Sequence, residues 1–282
     1  MQTFLSQNEA ILRLIFFFGI FFIFAAWEIV TPRRKLSISK TRRWINNIAI
    51  VIINSFLLRL IFPTAAVGFA FFAQTEHWGL LNQIKIPEWI SVTVAVVTLD
   101  LIIYLQHVMF HAVPLLWRLH IVHHTDLDLD VTSGTRFHPV EILLSMIIKF
   151  AAIAALGPPV IAVFAFEILL NATAMFNHSN IFIPLNVDKK LRYFVVTPDM
   201  HRVHHSVLKH ETNSNFGFNL PWWDRLFGTY RDQPTEGHTQ MIIGLEQYRN
   251  PEELSLIKLI LLPLCARTGP YPIINRGNRN QA

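Results

Sequence analysis

The chain has 282 residues, of which 52% are hydrophobic and 15% are charged, and its mean hydropathy is +0.38. Soluble domains carry about 25% charged residues, so this composition favours a membrane protein. The net charge of +5 comes from short Lys and Arg blocks beside apolar runs, which argues against a nucleic-acid-binding surface. The single cysteine, Cys265, excludes an intrachain disulfide and a zinc site built on several cysteines, and we expect it to be a buried thiol.

The N-terminal half contains three apolar regions. Residues 11–30 are predicted to be a retained membrane anchor, because Glu9 precedes them and neither a basic segment nor a signal-peptide cleavage site is visible. Residues 45–73, which include Pro63, are predicted to form one long or kinked span. Residues 89–110 form a third span with an aspartate at mid-depth. A bilayer core of about 30 Å needs about 20 helical residues, which the first and third regions supply once each.

The fourth apolar region covers residues 140–176 and is too long for one helix. The sequence Gly-Pro-Pro at 157–159 is a turn signal, so we predict a helical hairpin with limbs of about 17 residues, at the short end of the spanning range. Lys149 and Glu167 lie at similar distances from this turn. One hypothesis is that they form an ion pair across the hairpin, and the alternative is that one or both snorkel toward the interface or face a cavity.

The orientation of the spans in the membrane follows from the positions of the basic residues. Residues 32–44 hold six Lys or Arg between the first two spans and are predicted to be cytoplasmic. Residues 74–88 then lie outside, and the third span and the hairpin return residues 107–111 and 178–205 to the cytoplasmic side. The more polar chain from residue 186 onward is predicted to be a cytoplasmic cap, with an interfacial or packed helix near its end. The fold class is thus an all-α membrane bundle of four to five membrane segments with a histidine-rich cap.

Three short histidine patterns stand out among thirteen histidines: "HVMFH" at 107–111, "HIVHH" at 120–124 and "HRVHH" at 201–205. In a helix, side chains at i, i+3 and i+4 lie on one side of the cylinder, so each pattern presents a cluster of imidazoles. Neutral imidazole is the commonest metal ligand, and a nitrogen-rich set suits iron, zinc, copper or nickel. The topology lets all eight imidazoles meet at one end of the bundle.

The number of histidines indicates a dinuclear centre, since one metal site uses three or four protein ligands. His138 and His178 adjoin apolar segments on the same side and are further candidates. The remaining histidines, His77, His210 and His238, are expected to be solvated.

Carboxylates commonly orient metal-bound histidines. Asp100 lies two helical turns before His107 and is expected to act in this way. Asp199 precedes His201 and is either an orienting group or a helix cap. Four further acidic residues near the histidine patterns are candidates for the same part: Asp126, Asp128, Asp130 and Glu141.

These patterns, together with "RFHPVEILL", "FNHSN" and "TNSNFGFNLPWWDRLFGTY", resemble the fatty acid hydroxylase/sterol desaturase superfamily of membrane di-iron enzymes over about residues 95–232. The resemblance implies two iron ions, dioxygen as co-substrate and electrons from a separate donor. It also makes His138 a residue that lines the site. The histidines on the family's metal-ligand positions are His107, His111, His120, His123, His124, His178, His201, His204 and His205.

The reaction that the resemblance implies is oxidation of a lipid C–H bond, as hydroxylation or desaturation. The lipid enters from the bilayer, and the donor is a ferredoxin, a rubredoxin or a cytochrome b5-like protein. The domains expected are anchor helices at 1–94, a catalytic domain at 95–232 and a C-terminal cap at 233–282. No lysine-based retrieval signal is visible at residues 273–282, which favours a bacterial inner membrane over the endoplasmic reticulum.

Two alternatives use the same histidines. A metal transporter or sensor needs ionisable residues through the bilayer, and the deeper ones are Arg59, Asp100, Lys149 and Glu167. A zinc hydrolase is disfavoured, because the chain has no H-E-x-x-H motif and no glutamate inside a histidine pattern.

Overall fold

The computed structural model describes residues 2–62 and 64–274, with side chains from residue 8 onward. Every regular element in these ranges is a helix, which confirms the predicted all-α class. The α-helices of this part of the chain are, in order, α1 (Gln2–Val30), α2 (Lys40–Ile61), α3 (Ala66–Thr75), α4 (Glu88–Ala112), α5 (Pro114–His124), α6 (Pro139–Leu156), α7 (Val160–His178), α8 (Leu185–Leu191), α9 (Pro198–His204), α10 (Lys209–Thr212), α11 (Trp222–Leu226), α12 (Gly237–Gln240) and α13 (Leu256–Cys265).

Five helical stretches of the described chain are long and apolar enough to cross a membrane: Asn8–Val30, Lys40–Thr75, Glu88–Ala112, Pro139–Leu156 and Val160–His178. The protein is therefore a multi-pass integral membrane protein, as predicted. The second stretch is kinked, because α2 ends at Ile61 and Phe62 has an extended backbone before α3 begins. Pro63 lies outside the described residues. Residues 275–282, which make up most of the segment without a lysine-based retrieval signal, also lie outside them.

The predicted hairpin is formed by α6 and α7, which have 18 and 19 residues. Gly157 ends α6 in the left-handed region at φ 63°, and its N–H donates to the Ile153 carbonyl. A Cβ atom at this position would collide with the backbone oxygen of Trp78, so glycine is required for two reasons. Trp78 belongs to the link between α3 and α4. The hairpin turn and this link therefore lie together at the end of the bundle remote from the histidines.

An ion-pair cluster joins the hairpin to α1 inside the membrane region. Lys149 Nζ contacts Glu167 Oε1, which confirms the predicted pair. Arg13 Nη2 of α1 lies 2.9 Å from the second oxygen of Glu167 and also pairs with Glu9. A buried carboxylate in a membrane span is costly unless it is paired, and two cations meet that need here. The cluster fixes α1 against α7.

A second polar network holds the loop after "HIVHH" against the start of α2. The buried guanidinium of Arg43 donates to Asp126 at 2.7 Å and to Asp130 at 2.6 Å. Burial raises the pKa of Asp126, but Arg43 outweighs this effect and holds that pKa below its usual value. Arg136 donates to the Val122 carbonyl at 2.9 Å near the end of α5. The network thus anchors the helix that carries three of the histidines.

The C-terminal helix α13 packs on α2 and α5 and turns an apolar side outward. Ile257 and Leu264 are 73% and 78% exposed. Cys265 is also exposed, so the expectation of a buried thiol was wrong. The thiol lies on the last turn of α13, where Arg118 of α5 donates to the Pro263 and Leu264 carbonyls without covering Cys265.

Candidate metal centre

Four helices bring their histidines to one end of the bundle. The last turns of α4 carry His107 and His111, and Pro114 begins α5 directly after them. This tight turn sets the three histidines of α5 beside those of α4. The short helix α9, capped by the Thr197 hydroxyl, supplies the third pattern, and His178 ends α7. All nine histidines on the predicted ligand positions are at most 3% exposed.

The nine histidines form two groups, in each of which the ligand nitrogens lie within 4.8 Å of one another. The five-histidine group consists of His107, His111, His120, His124 and His204, and the four-histidine group consists of His123, His178, His201 and His205. Each H-x-x-H-H pattern is divided between the two groups, because adjacent helical residues point about 100° apart. The structure therefore brings together every histidine of the predicted ligand set.

The nitrogen separations fit shared metal ions. In the five-histidine group, His107 Nε2 lies 3.1 Å from His120 Nε2, and His111 Nε2 lies 3.1 Å from His124 Nε2. In the four-histidine group, His178 Nε2 lies 3.1 Å from His201 Nε2. Two nitrogens bound to one ion at about 2.1 Å and at right angles are about 3 Å apart. Each group can hold a metal ion.

The protonation of the rings suits metal binding as well. Burial lowers the pKa of His120 to about 3, and it lowers the pKa values of His123, His124, His201, His204 and His205 well below 6.5. These rings are therefore neutral, which is the state that binds metals. His204 Nε2 has no hydrogen-bond partner in the described chain and lies inside the five-histidine group. An ion would supply that missing partner.

Six rings are oriented through Nδ1, which faces away from the groups. The proton on Nδ1 leaves the Nε2 lone pair free for a metal ion. The acceptors are Phe216 O for His107, Asn213 Oδ1 for His111, Glu141 Oε1 for His120, Ser214 O for His204, Arg136 O for His123 and Ala174 O for His178.

Glu141 is the carboxylate that contacts a histidine of the centre, at 2.6 Å from His120 Nδ1. It lies in the first turn of α6, where Pro139 at the helix start sets the direction of that turn. Asp100, which we expected to orient His107, instead accepts hydrogen bonds from Trp223 Nε1 at 2.8 Å and from the Leu220 N–H at 3.2 Å. It thereby anchors the chain that follows the third histidine pattern.

The other acidic candidates also bind cations or backbone groups. Asp199 pairs with Arg33 and Arg202, and Asp126 and Asp130 pair with Arg43. Asp128 accepts from the backbone N–H groups of residues 37 and 38. Their side chains thus stabilise the cap around the centre.

The remaining histidines lie outside the two groups. His138 caps α6 by accepting from the Val140 N–H, and its other nitrogen donates to the Ile260 carbonyl at 3.0 Å, so both ring nitrogens are engaged. His77 and His210 are exposed, as expected. His238 is only 5% exposed, and the expectation that it is solvated was wrong. It packs beside Asp199 and Gln233 inside the cap.

Aromatic rings cover the histidines and keep water away. Phe137 stacks on His123 with the ring centroids 4.4 Å apart. The Trp117 ring centroid lies 4.8 Å from that of His111 and 5.2 Å from that of His124. Phe218 contacts the His107 ring at 5.1 Å. Sequence reasoning missed these residues, because nothing in the pattern distinguishes an aromatic residue beside the centre from one in the core.

The fold and the two histidine groups define a multi-pass membrane protein with a buried site that can hold two metal ions. Residues 92–229 match the family model described as fatty acid hydroxylase. The chain belongs to the fatty acid hydroxylase/sterol desaturase superfamily.

Similar curated proteins act on lipids according to their names. An ornithine lipid hydroxylase of Rhizobium tropici is 30% identical over 158 residues, which are 55% of this chain and 46% of that protein. Alkylglycerol monooxygenases of Xenopus tropicalis and Homo sapiens are 30% and 29% identical over 45% and 55% of this chain, and the matches cover 27% and 34% of those proteins. The chain spans less than half the length of these relatives. No solved structure matches it.

Proposed function

We propose that the protein is a di-iron membrane oxygenase that oxidises a C–H bond of a lipid, with dioxygen as oxidant and electrons from a separate donor protein. The observation that carries the proposal is the pair of adjacent histidine groups, which together contain all nine predicted ligands. The two groups would each hold one iron. Five imidazoles exceed the three or four protein ligands of zinc sites, and this excess favours iron.

When bound, the irons supply the dioxygen activation and one-electron oxidation that side chains cannot perform. The chain's own residues position and isolate that chemistry. Phe216 O, Asn213 and Glu141 orient rings of the five-histidine group, and Phe137 and Trp117 exclude water. A dry and rigid site protects the reacting centre from side reactions.

Hydroxylation is the outcome that we propose, because the similar proteins are named as a lipid hydroxylase and as monooxygenases. The histidine groups adjoin the ends of membrane-spanning helices, and the proposed substrate class is therefore a membrane lipid. The metal-transport alternative is disfavoured, since Lys149 and Glu167 pair with each other and Asp100 binds Trp223. Few ionisable groups then remain free along the spans.

The electron donor is proposed to bind on the cytoplasmic side of a bacterial inner membrane and to be a ferredoxin, a rubredoxin or a cytochrome b5-like protein. The basic residues 32–44 contribute less to its docking than their number suggests. Arg43 is buried, and Arg33 and Arg34 bind Asp199 and the Met241 carbonyl. Lys35 and Arg42 are exposed at the surface, whereas Lys40 is half-buried and pairs with Glu28.

Metal analysis and isotope incorporation test the proposal. The purified chain should contain about two irons and should transfer ¹⁸O from labelled dioxygen into lipid when a reductant and a donor are supplied. His124→Ala and His205→Ala should each lose iron and activity, whereas His210→Ala, at an exposed histidine outside both groups, should retain them. Full oxygenase activity in either of the first two variants would refute the proposal. Activity that persists without dioxygen would point to a zinc hydrolase.

A further inference from the structure

The cap carries a compact group of exposed apolar side chains that the proposed reaction does not use. They are Tyr193 (61% exposed), Phe194 (71%), Trp222 (44%), Leu226 (69%) and Phe227 (51%), and we call them the aromatic patch. Trp222 Nε1 donates to the Tyr193 carbonyl at 2.7 Å, which joins the two stretches of chain. Scattered exposed apolar residues are ordinary, but a contiguous patch indicates a contact surface.

The aromatic patch is attached to membrane-spanning helices on the bilayer side of the histidine centre. The Phe227 ring stacks on the Tyr104 ring of α4, with the ring centroids 5.5 Å apart and an interplanar angle of 16°. Trp223, beside Trp222, donates to Asp100 at 2.8 Å. Asp100 and Tyr104 precede His107 by seven and three residues, which corresponds to about 10 Å and about 5 Å along the helix. The patch therefore lies beside α4 at a level closer to the middle of the span than the buried histidines.

A second anchor comes from α7. Thr173 bonds to Asn219, and Asn177 Nδ2 donates to the Phe218 carbonyl at 3.1 Å. The chain that leads to the aromatic patch is thus fastened to two spans, α4 and α7. Its depth is set by these helices and does not depend on the conformation of a free loop.

The charges next to the aromatic patch are predominantly positive. Lys189, Lys190 and Arg225 are exposed, and the Arg225 guanidinium lies 4.1 Å from the Tyr230 ring and 5.2 Å from the Tyr193 ring. The exposed acid beside them, Asp232, is paired with Arg192. Aromatic residues flanked by Lys and Arg are typical of segments at the boundary between acyl chains and headgroups.

We propose that the aromatic patch is immersed in the cytoplasmic leaflet, with Trp222, Leu226 and Phe227 among acyl chains. Lys189, Lys190 and Arg225 then contact the phosphates of anionic phospholipids, each cation contributing through electrostatic attraction to the membrane surface. The cap is therefore seated in the bilayer in addition to being tethered by the spans. This assignment is independent of the metal and of the proposed reaction.

Site-directed labelling in lipid nanodiscs tests the immersion. In a Cys265→Ser background, which removes the exposed native thiol, Leu226→Cys is compared with Glu236→Cys at an exposed polar position of the cap. The full-length chain is reconstituted in bilayers that contain phosphatidylglycerol and reacted with a membrane-impermeant maleimide. Leu226→Cys should react at least about tenfold more slowly than Glu236→Cys, because interfacial segments lie about 5–10 Å below the aqueous phase. Both thiols should react equally after denaturation.

A fluorophore on each cysteine distinguishes lipid from protein contact. Brominated acyl chains should quench the probe at position 226 and leave the probe at position 236 bright. The double variant Lys189→Glu/Lys190→Glu should lose the extra quenching that phosphatidylglycerol produces over neutral lipid. Equal labelling rates without quenching would overturn the proposal. Protection that appears only with two chains per nanodisc, again without quenching, would overturn it in favour of a contact between copies of the chain.

Discussion

The two histidine groups differ in how the surrounding protein holds their rings. In the five-histidine group, four rings have an Nδ1 acceptor, and these acceptors come from α6 and from residues 213–216. In the four-histidine group, two rings have such an acceptor, and both acceptors are backbone carbonyls. The Nδ1 atoms of His201 and His205 have no partner in the described chain.

This difference indicates unequal preorganisation. The protein fixes the five-histidine group before any metal arrives, while the four-histidine group relies more on the ion to set its rings. His178 is central to the second group, because its Nε2 lies 3.1–3.2 Å from those of His123, His201 and His205. The expected effect of a variant therefore depends on whether it affects both groups, one group, one ring or neither.

Arg43→Ala should have the largest effect, because it removes the anchor of the loop behind α5, which supplies histidines to both groups. Asp126 and Asp130 would be left as buried, unpaired carboxylates, and the free energy of unfolding should fall by about 3–5 kcal/mol. Chemical denaturation in detergent measures the loss. Arg42→Ala, at the exposed neighbouring position, is the matched control. Similar stability of the two variants would show that the network does not support the centre.

His178→Ala should affect one group. It removes the histidine on which the other three converge, so the iron content should fall from about two to about one per chain. Activity should decrease by more than the roughly 10–100-fold that follows loss of an outer partner of a metal ligand. Elemental analysis combined with an ¹⁸O assay checks both numbers. Retention of two irons would contradict the assignment of His178 to the four-histidine group.

Glu141→Ala should affect one ring of the better-held group. His120 would lose its 2.6 Å Nδ1 acceptor, and metal affinity or activity should drop about 10–100-fold. Glu141→Gln keeps an acceptor oxygen and should recover part of the loss. Iron titration followed by optical spectroscopy distinguishes this orienting role from a general loss of fold. Identical behaviour of the two variants would argue against orientation through the hydrogen bond.

Substitution of His238, which lies outside both groups, should have the smallest effect. Burial lowers the pKa of this buried histidine to about 3, although Asp199 favours its charged form. In the unfolded chain the histidine pKa is about 6.5. The contribution of neutral His238 to the free energy of unfolding is therefore fully present above pH 6.5 and is lost as the pH falls toward 3. At pH 5 the loss should be about 2 kcal/mol. His238→Gln should flatten this part of the stability profile with metal present or absent. If the stability of His238→Gln depended on pH as that of the unsubstituted chain does, this prediction would be contradicted.

The sequence was sufficient to predict the spans, the hairpin and the meeting of the histidines, since these follow from apolar length, a Gly-Pro-Pro turn and helical spacing. The orienting groups were harder to predict. Asp100 shares a side of α4 with His107, but the nitrogen to be oriented points away from the ring's own helix. Its partner therefore comes from another element, as Phe216 O does for His107 and Glu141 does for His120. Such contacts depend on tertiary packing, which spacing along one helix does not contain.

The division of each H-x-x-H-H pattern between the two groups has a consequence for assembly. His123 and His124 are neighbours in α5 and serve different groups, as do His204 and His205 at the end of α9. An ion that fixes one ring of such a pair also fixes the backbone of its neighbour. Filling one group should thereby lower the entropic cost of ordering the other, and metal loading should be positively cooperative. The half-filled centre should consequently be less populated than it would be for two independent sites with the same individual affinities.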